Sequence, residues 1–174
     1  YGRAIDPTIL PALNDISTQQ SRPTKKTLAK TNMLLDYMAT YPNARMRFLA
    51  GTMQLLVESD AAYLVLPNAK SRFAGHYMLA SKPNIHNQHK APLNAPILIE
   101  CKTIKNVVCS AAEAECGGLF YNGQMAKTIR QVLTEMGHPQ QATQLKTDNK
   151  TANDFVHASM RMKRSKTWDM RYHW

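Results

Sequence analysis

MQLLVESDAAYLVL, residues 53–66, runs apolar at strand length and yet carries an acid, Asp60, in its interior. A carboxylate in an apolar strand is unfavourable unless it is paired or binds a metal, so this stretch sets both the expected architecture and the first candidate for chemistry. MRFLAG (46–51) just before it has the same texture, and FAGHYMLA (73–80) follows across the polar loop PNAKSR (67–72). These segments predict strands joined as an antiparallel pair. SKPNIHNQHKAPLNAP (81–96) is a polar, proline-rich connection without periodicity, and PILIECKTIKNVV (96–108) reads as a third strand. A long helix is expected from Ser110 to about Met136, stopped by Gly137 and Pro139. QLKTD (144–148) reads as a fourth strand and NKTANDFVHA (149–158) as a shorter helix, after which come the basic run RMKRSK (161–166) and a last helical start, TWDMRYHW. Three strands, helix, strand, helix predicts an α/β fold. Its mixed sheet has three antiparallel strands and a fourth, parallel strand reached through a helical crossover, with helices packed on it.

The first 50 residues have a different character. Asp6 is placed to cap a short helix with Pro7 at its first position, in a pattern interrupted by Pro11. Thr24 caps KKTLAKTNMLLDYMATY (25–41), which sets Leu28, Leu34, Leu35, Met38 and Tyr41 along one face before Pro42 closes it. The expected organisation is a helical segment over 1–50 and an α/β domain over 51–174. Tyr1-Gly2-Arg3 at the start, and Trp174 falling inside a helical pattern at the end, read as a segment cut from a longer chain.

With 22 Lys and Arg against 12 Asp and Glu, the 174-residue chain carries a formal charge of +10, which favours a polyanionic partner such as nucleic acid. Ribosomal or membrane-surface binding would give the same charge. No run of about 18 apolar residues occurs, which excludes a spanning helix. Cys101, Cys109 and Cys116 are odd in number and lack paired CxxC spacing, so they are expected to be buried thiols of a reducing, intracellular compartment rather than metal ligands. His86 and His89 have no Cys or acid ligand beside them and read as exposed histidines.

In so basic a chain the acids that remain are informative. CSAAEAEC (109–116) sets Glu113 and Glu115 two positions apart, about 200° around a helix, so the two cannot serve one site together. Steps of three and four from Glu115 reach Leu119, Asn122, Ala126, Ile129, Leu133 and Met136, a mostly apolar stripe. The same steps from Glu113 reach Gly117, Phe120, Gln124, Lys127, Gln131 and Glu135, which are mostly polar. Glu115 is therefore expected to look inward over the sheet and Glu113 to face solvent near the positive end of the helix dipole. Asp148, where the fourth strand ends and a helix begins, is the third candidate, strand ends being common places for sites. Taken singly, Asp60 could be a turn residue, Asp148 an N-cap and Glu115 a first-turn dipole acid.

Taken in order, SDAAYL (59–64), SRFAGHYML (71–79), SAAEAE (110–115), KTDNKTA (146–152) and RSKTWDMRYHW (164–174) resemble the ribonuclease H domain of copia-type retrotransposon polyproteins. They stand where that family has its Ser-Asp-Ala segment, its Ser-Gly-Tyr hairpin strand, its Ser-Ser-Thr-Glu-Ala-Glu helix start, its Asp-Asn strand end and its Lys-His-Ile-Asp-Ile-Arg-Tyr-His element. The resemblance covers roughly residues 53 to 174, and the helices before it look like the connection that follows a covalently linked reverse transcriptase.

What the resemblance implies is specific. Asp60, Glu115 and Asp148 would be three of four metal-binding acids holding two Mg2+ ions, and the substrate would be the RNA strand of an RNA/DNA hybrid. The family's fourth acid follows a fifth strand, in a Leu-Ala-Asp segment that would lie beyond Trp174. Asp169 occupies the Lys-His-Ile-Asp position, with Thr167 in place of the family's His, and is the candidate substitute. Arg161, Lys163, Arg164 and Lys166 are the expected nucleic-acid contacts. The alternative is a non-catalytic nucleic-acid-binding remnant that keeps the basic surface without a complete metal site.

Overall fold

The computed structural model describes residues 1–81 and 94–157. The chain divides into two compact units, Tyr1–Phe48 and a second that begins at Leu49.

In the first unit the Asp6 carboxylate accepts the Thr8 N–H at 3.1 Å and caps a single 3-10 turn, Pro7–Ile9, which runs into α1, Leu10–Thr18. Pro11 does not interrupt the helix, because it falls in the first turn, where a missing N–H has no partner to lose. α2, Lys25–Thr40, starts with a reciprocal cap in which the Thr24 and Thr27 side chains each accept the other's backbone N–H. Leu34 and Tyr37 of α2 line a groove with Ile9, Ala12 and Ile16, whereas Leu28, Leu35 and Tyr41 are exposed.

The second unit is a mixed α/β arrangement. Its strands are β1 (Gln54–Leu66), β2 (Lys70–Ala80), β3 (Pro96–Thr103) and β4 (Gln144–Lys146), in the order β3-β2-β1-β4. β1 pairs antiparallel with β2, and β2 with β3, while β4 runs parallel to β1 from Leu56↔Gln144 to Glu58↔Lys146. The long crossover helix α3, Ala111–Glu135, lies on one face, and α4, Lys150–Val156, follows β4 behind an Asn149 cap. Three antiparallel strands and one parallel strand are thus present as the residue pattern predicts. MRFLAG departs from it. Residues 46–51 join no ladder, and Leu49 instead exchanges both backbone groups with the Asn94 side chain. An apolar run becomes a strand only where a neighbouring backbone meets its N–H and C=O groups.

The core under α3 joins Leu55 and Val57 of β1 and Tyr77 of β2 to Ala126 and Leu133. One polar residue of the helix's inward stripe, Asn122, is fully buried. Its carbonyl accepts the Tyr77 hydroxyl at 2.8 Å, and its amide donates to Ser59 Oγ and to the Ala74 carbonyl at 2.9 Å each. Gly75 makes room for it, since a Cβ there would stand 2.3 Å from Asn122 Oδ1. The third strand is shorter than PILIECKTIKNVV suggests. The ladder ends at Thr103, Ile104 turns away by donating to the Ser71 carbonyl, and Ile104 and Val108 bury against Phe73 and the start of α3.

Cys116 alone of the three cysteines is buried. Cys101 alternates with Glu100 on β3 and so takes the face away from α3, and Cys109 lies in the connection before the helix; both are exposed, contrary to expectation. No described helix is long and apolar enough to cross a membrane. His86, His89, Asp169 and the basic residues Arg161, Lys163, Arg164 and Lys166 lie outside the described residues.

Candidate metal centre

β1 and β4 stay paired only as far as Glu58↔Lys146, and two residues beyond that point each chain segment carries an aspartate, Asp60 still in β1 and Asp148 just past the end of β4. The fork that opens there is where the third acid enters. Small residues at Ala114 and Gly118 let the first turns of α3 lie close on the sheet: a Cβ at Gly118 would stand 3.2 Å from Ser59 Oγ and 3.4 Å from Phe73 Cβ. From that height Glu115 reaches the fork. Its Oε1 accepts the Ala61 N–H at 3.2 Å, and its Oε2 meets the Thr147 hydroxyl, the donor, at 3.4 Å.

One carboxylate oxygen from each of Asp60, Glu115 and Asp148 lies within 4.8 Å of the other two, although the three residues come from three separate elements. Asp60 and Asp148 are exposed and Glu115 is buried. The electrostatic consequence falls on the buried member. Burial first, then the neighbouring charges of Asp60 and Asp148, push the Glu115 carboxyl up to about 7, against the opposing effect of the Ala61 and Thr147 hydrogen bonds. No Lys or Arg forms an ion pair with any of the three among the described residues, where the salt bridges are Lys30–Asp15 and Lys102–Glu100.

Three converging carboxylates with no ion-paired Lys or Arg among the described residues, in a chain of net charge +10, suit a bound metal ion. Oxygen-only donors select a hard divalent cation, and ligand distances of roughly 2.0–2.6 Å let one ion span oxygens at this separation. The acidic triad can therefore hold a metal. Cys116, one residue from Glu115, is not placed for such work: burial and the charges of Glu115 and Glu113 push its thiol up to about 12, so it stays protonated.

Glu113 corrects the expectation drawn from helical phase. It is fully buried rather than solvent-facing. Its N–H donates to the Ser110 hydroxyl at 3.1 Å, and its Oε2 accepts the Cys109 N–H at 2.6 Å, while Oε1 has no partner among the described residues. The periodicity fails because α3 has two neighbours at this end: the sheet lies on one side, and the connection carrying Ile104 and Val108 packs on Ala114. The signal was present as Ser110-Ala-Ala-Glu113, a Ser-x-x-Glu capping pattern that assigns Glu113 to the backbone ahead of the helix. The bland alternative for Asp148 is also displaced, since the N-cap of α4 is Asn149, whose side chain accepts the Ala152 N–H at 3.0 Å.

Comparison of the chain with protein-family models, with characterised proteins and with solved structures gives no match.

Proposed function

We propose that this chain is a ribonuclease H-like nuclease domain that hydrolyses the RNA strand of RNA/DNA hybrids, as part of a retrotransposon polyprotein of the copia type. One observation carries the proposal: Asp60, Glu115 and Asp148, picked out in sequence on a strand, a helix start and a strand end, bring their carboxylates within 4.8 Å of one another. The mixed sheet with a helical crossover between β3 and β4 is compatible with that fold.

In this account Asp60 and Asp148 present exposed oxygens to a pair of Mg2+ ions, and Glu115 is the buried ligand fixed by Ala61 and Thr147. The ions would supply water activation and stabilisation of the leaving 3′ oxygen of the phosphodiester. Glu115 needs its proton removed to serve as ligand, and a carboxyl held near 7 gives it up readily at neutral pH. Preference for an RNA strand would rest on its 2′-hydroxyls and on duplex shape.

The second reading is a nucleic-acid-binding remnant, which the net charge of +10 suits as well as it suits the nuclease. One experiment separates the two. The chain is incubated with an end-labelled RNA/DNA hybrid and Mg2+, beside Asp60→Asn and Asp148→Asn. Loss of the RNA strand only, abolished in both variants, supports the nuclease. Salt-dependent binding without cleavage supports the binding remnant, and the absence of both overturns the assignment.

A further inference from the structure

A second cleft lies on the same helix-strand seam as the acids, between the later turns of α3 and the approach to β4. It measures about 380 Å³ and includes Gly123, Lys127, Arg130, Gln131, Thr134 and Thr143 in its walls. No acid lines it. Glu135, the one acid in the second half of α3, accepts the Gln131 side-chain amide at 3.0 Å. Neither Lys127 nor Arg130 takes part in a salt bridge among the described residues.

Arg130 is half-buried, and its guanidinium donates one hydrogen bond, from Nη2 to the Gln140 carbonyl at 3.3 Å, which steadies the group while most of its five donors remain for another acceptor. Thr143 Oγ1 is buried and has no partner among the described residues. With almost none of it open to solvent, that hydroxyl lies beneath the cleft wall and is not part of the accessible surface. Gly123 keeps the cleft open, because a Cβ there would touch only Leu145, at 3.6 Å. Two cations, with no carboxylate among the described residues of the lining, ask for an anion with several acceptor oxygens.

We propose that this cleft is an anion site that takes a backbone phosphate of the nucleic acid held at the carboxylate triad, a step that rests on the nuclease or nucleic-acid-binding reading above. Its placement fits a continuous strand. Leu145, in its wall, is three residues before Asp148 on the same segment, and Lys127 is twelve residues after Glu115 on α3, about 18 Å along a helix rising 1.5 Å per residue. That offset is about five base-pair steps of duplex. The triad would fix the phosphate that reacts, and the cleft one that only positions the strand.

The test measures hybrid affinity of the whole chain by fluorescence anisotropy, in chelator, over a series of salt concentrations. Each phosphate contact removed should lower the slope of log affinity against log salt by about 0.9. Lys127→Gln with Arg130→Gln is therefore expected to lower it by close to two such steps and to weaken binding at least about tenfold at low salt. Thr143→Val is the control: it removes a buried hydroxyl, unpartnered among the described residues, that a ligand cannot reach, and it should raise the melting temperature while leaving affinity and slope unchanged. A wild type that binds hybrid, with the Lys127/Arg130 double variant matching its affinity and slope, would overturn the cleft and leave the triad untouched. Binding weakened in that double variant, in a protein that never cleaves with Mg2+, would uphold the cleft and sink the nuclease. A wild type that does not bind hybrid overturns both.

Discussion

From Ala111 to Asn122, helix α3 buries residues on nearly every side, including both Glu113 and Glu115, whereas from Gly123 to Glu135 burial returns to the inward positions Ala126 and Leu133. The second half sets Ala126 and Leu133 against the sheet core and leaves its outer positions open, as an amphipathic helix should. The first half is enclosed by the sheet and by the connection of Ile104 and Val108, and its residues are small where the sheet comes close. Helical phase therefore reports burial only where one side of a helix is covered. Where two sides are covered, the position of an acid must be read from what it hydrogen-bonds. On that criterion Glu113 belongs to the backbone of residue 109, and Glu115 to the fork between β1 and β4.

The sharpest contrast between the two glutamates should appear in metal-dependent activity. Glu115→Gln is expected to lower Mg2+-dependent hybrid cleavage by at least about 100-fold, measured as initial rates. Stability should move the other way. The carboxyl of Glu115 lies at about 7 in the folded chain against an ordinary 4.5, so the folded state holds that proton more tightly than the unfolded one. Its contribution is fully present below pH 4.5 and is lost as pH rises through 7. In chelator at pH 8, Glu115→Gln should thus stabilise the fold by about 1–3 kcal/mol, with little gain near pH 4.5. Equal melting shifts at both pH values would contradict the site's electrostatics.

Glu113 should give the reverse pattern. Glu113→Ala removes the acceptor of the Cys109 N–H and leaves a hole in a buried corner, which should destabilise by about 2–3 kcal/mol in urea, while Glu113→Gln, still able to accept that bond, should lose less than about 1 kcal/mol. Metal affinity in both should stay within about tenfold of the parent. Loss of metal binding equal to that of Glu115→Gln would erase the distinction between the two positions.

The smallest effect compares one substitution in the two halves. Gly123→Ala meets open space apart from Leu145 and should gain up to about 1 kcal/mol of helix propensity. Gly118→Ala would press on Ser59 Oγ, already held by Asn122, and on Phe73, so it should end at or below the parent's stability. Thermal melts of the pair decide it, and a clear gain at 118 would show that the helix is not seated as closely as described.

Much of the sheet was legible because strands and helices have different apolar periods, and because Ser110 and Gly137 mark helix ends by their own chemistry. Asp60 and Glu115 were legible as charges within apolar patterns, and Asp148 by its place at a strand end. The failures share a cause. MRFLAG has strand composition but no ladder partner, and Cys101, Cys109 and Glu113 take their exposure from neighbours distant in sequence. Periodicity within a segment cannot report what packs on its far side.

Metal binding at the triad is the most direct test. Calorimetric titration of chelator-treated protein with Mg2+ and Mn2+ should show saturable binding that releases protons below about pH 7, as Glu115 gives up its proton. That heat should vanish when Asp60→Asn and Asp148→Asn are combined. Undiminished binding in the double variant would place the metal elsewhere and remove the basis for the nuclease.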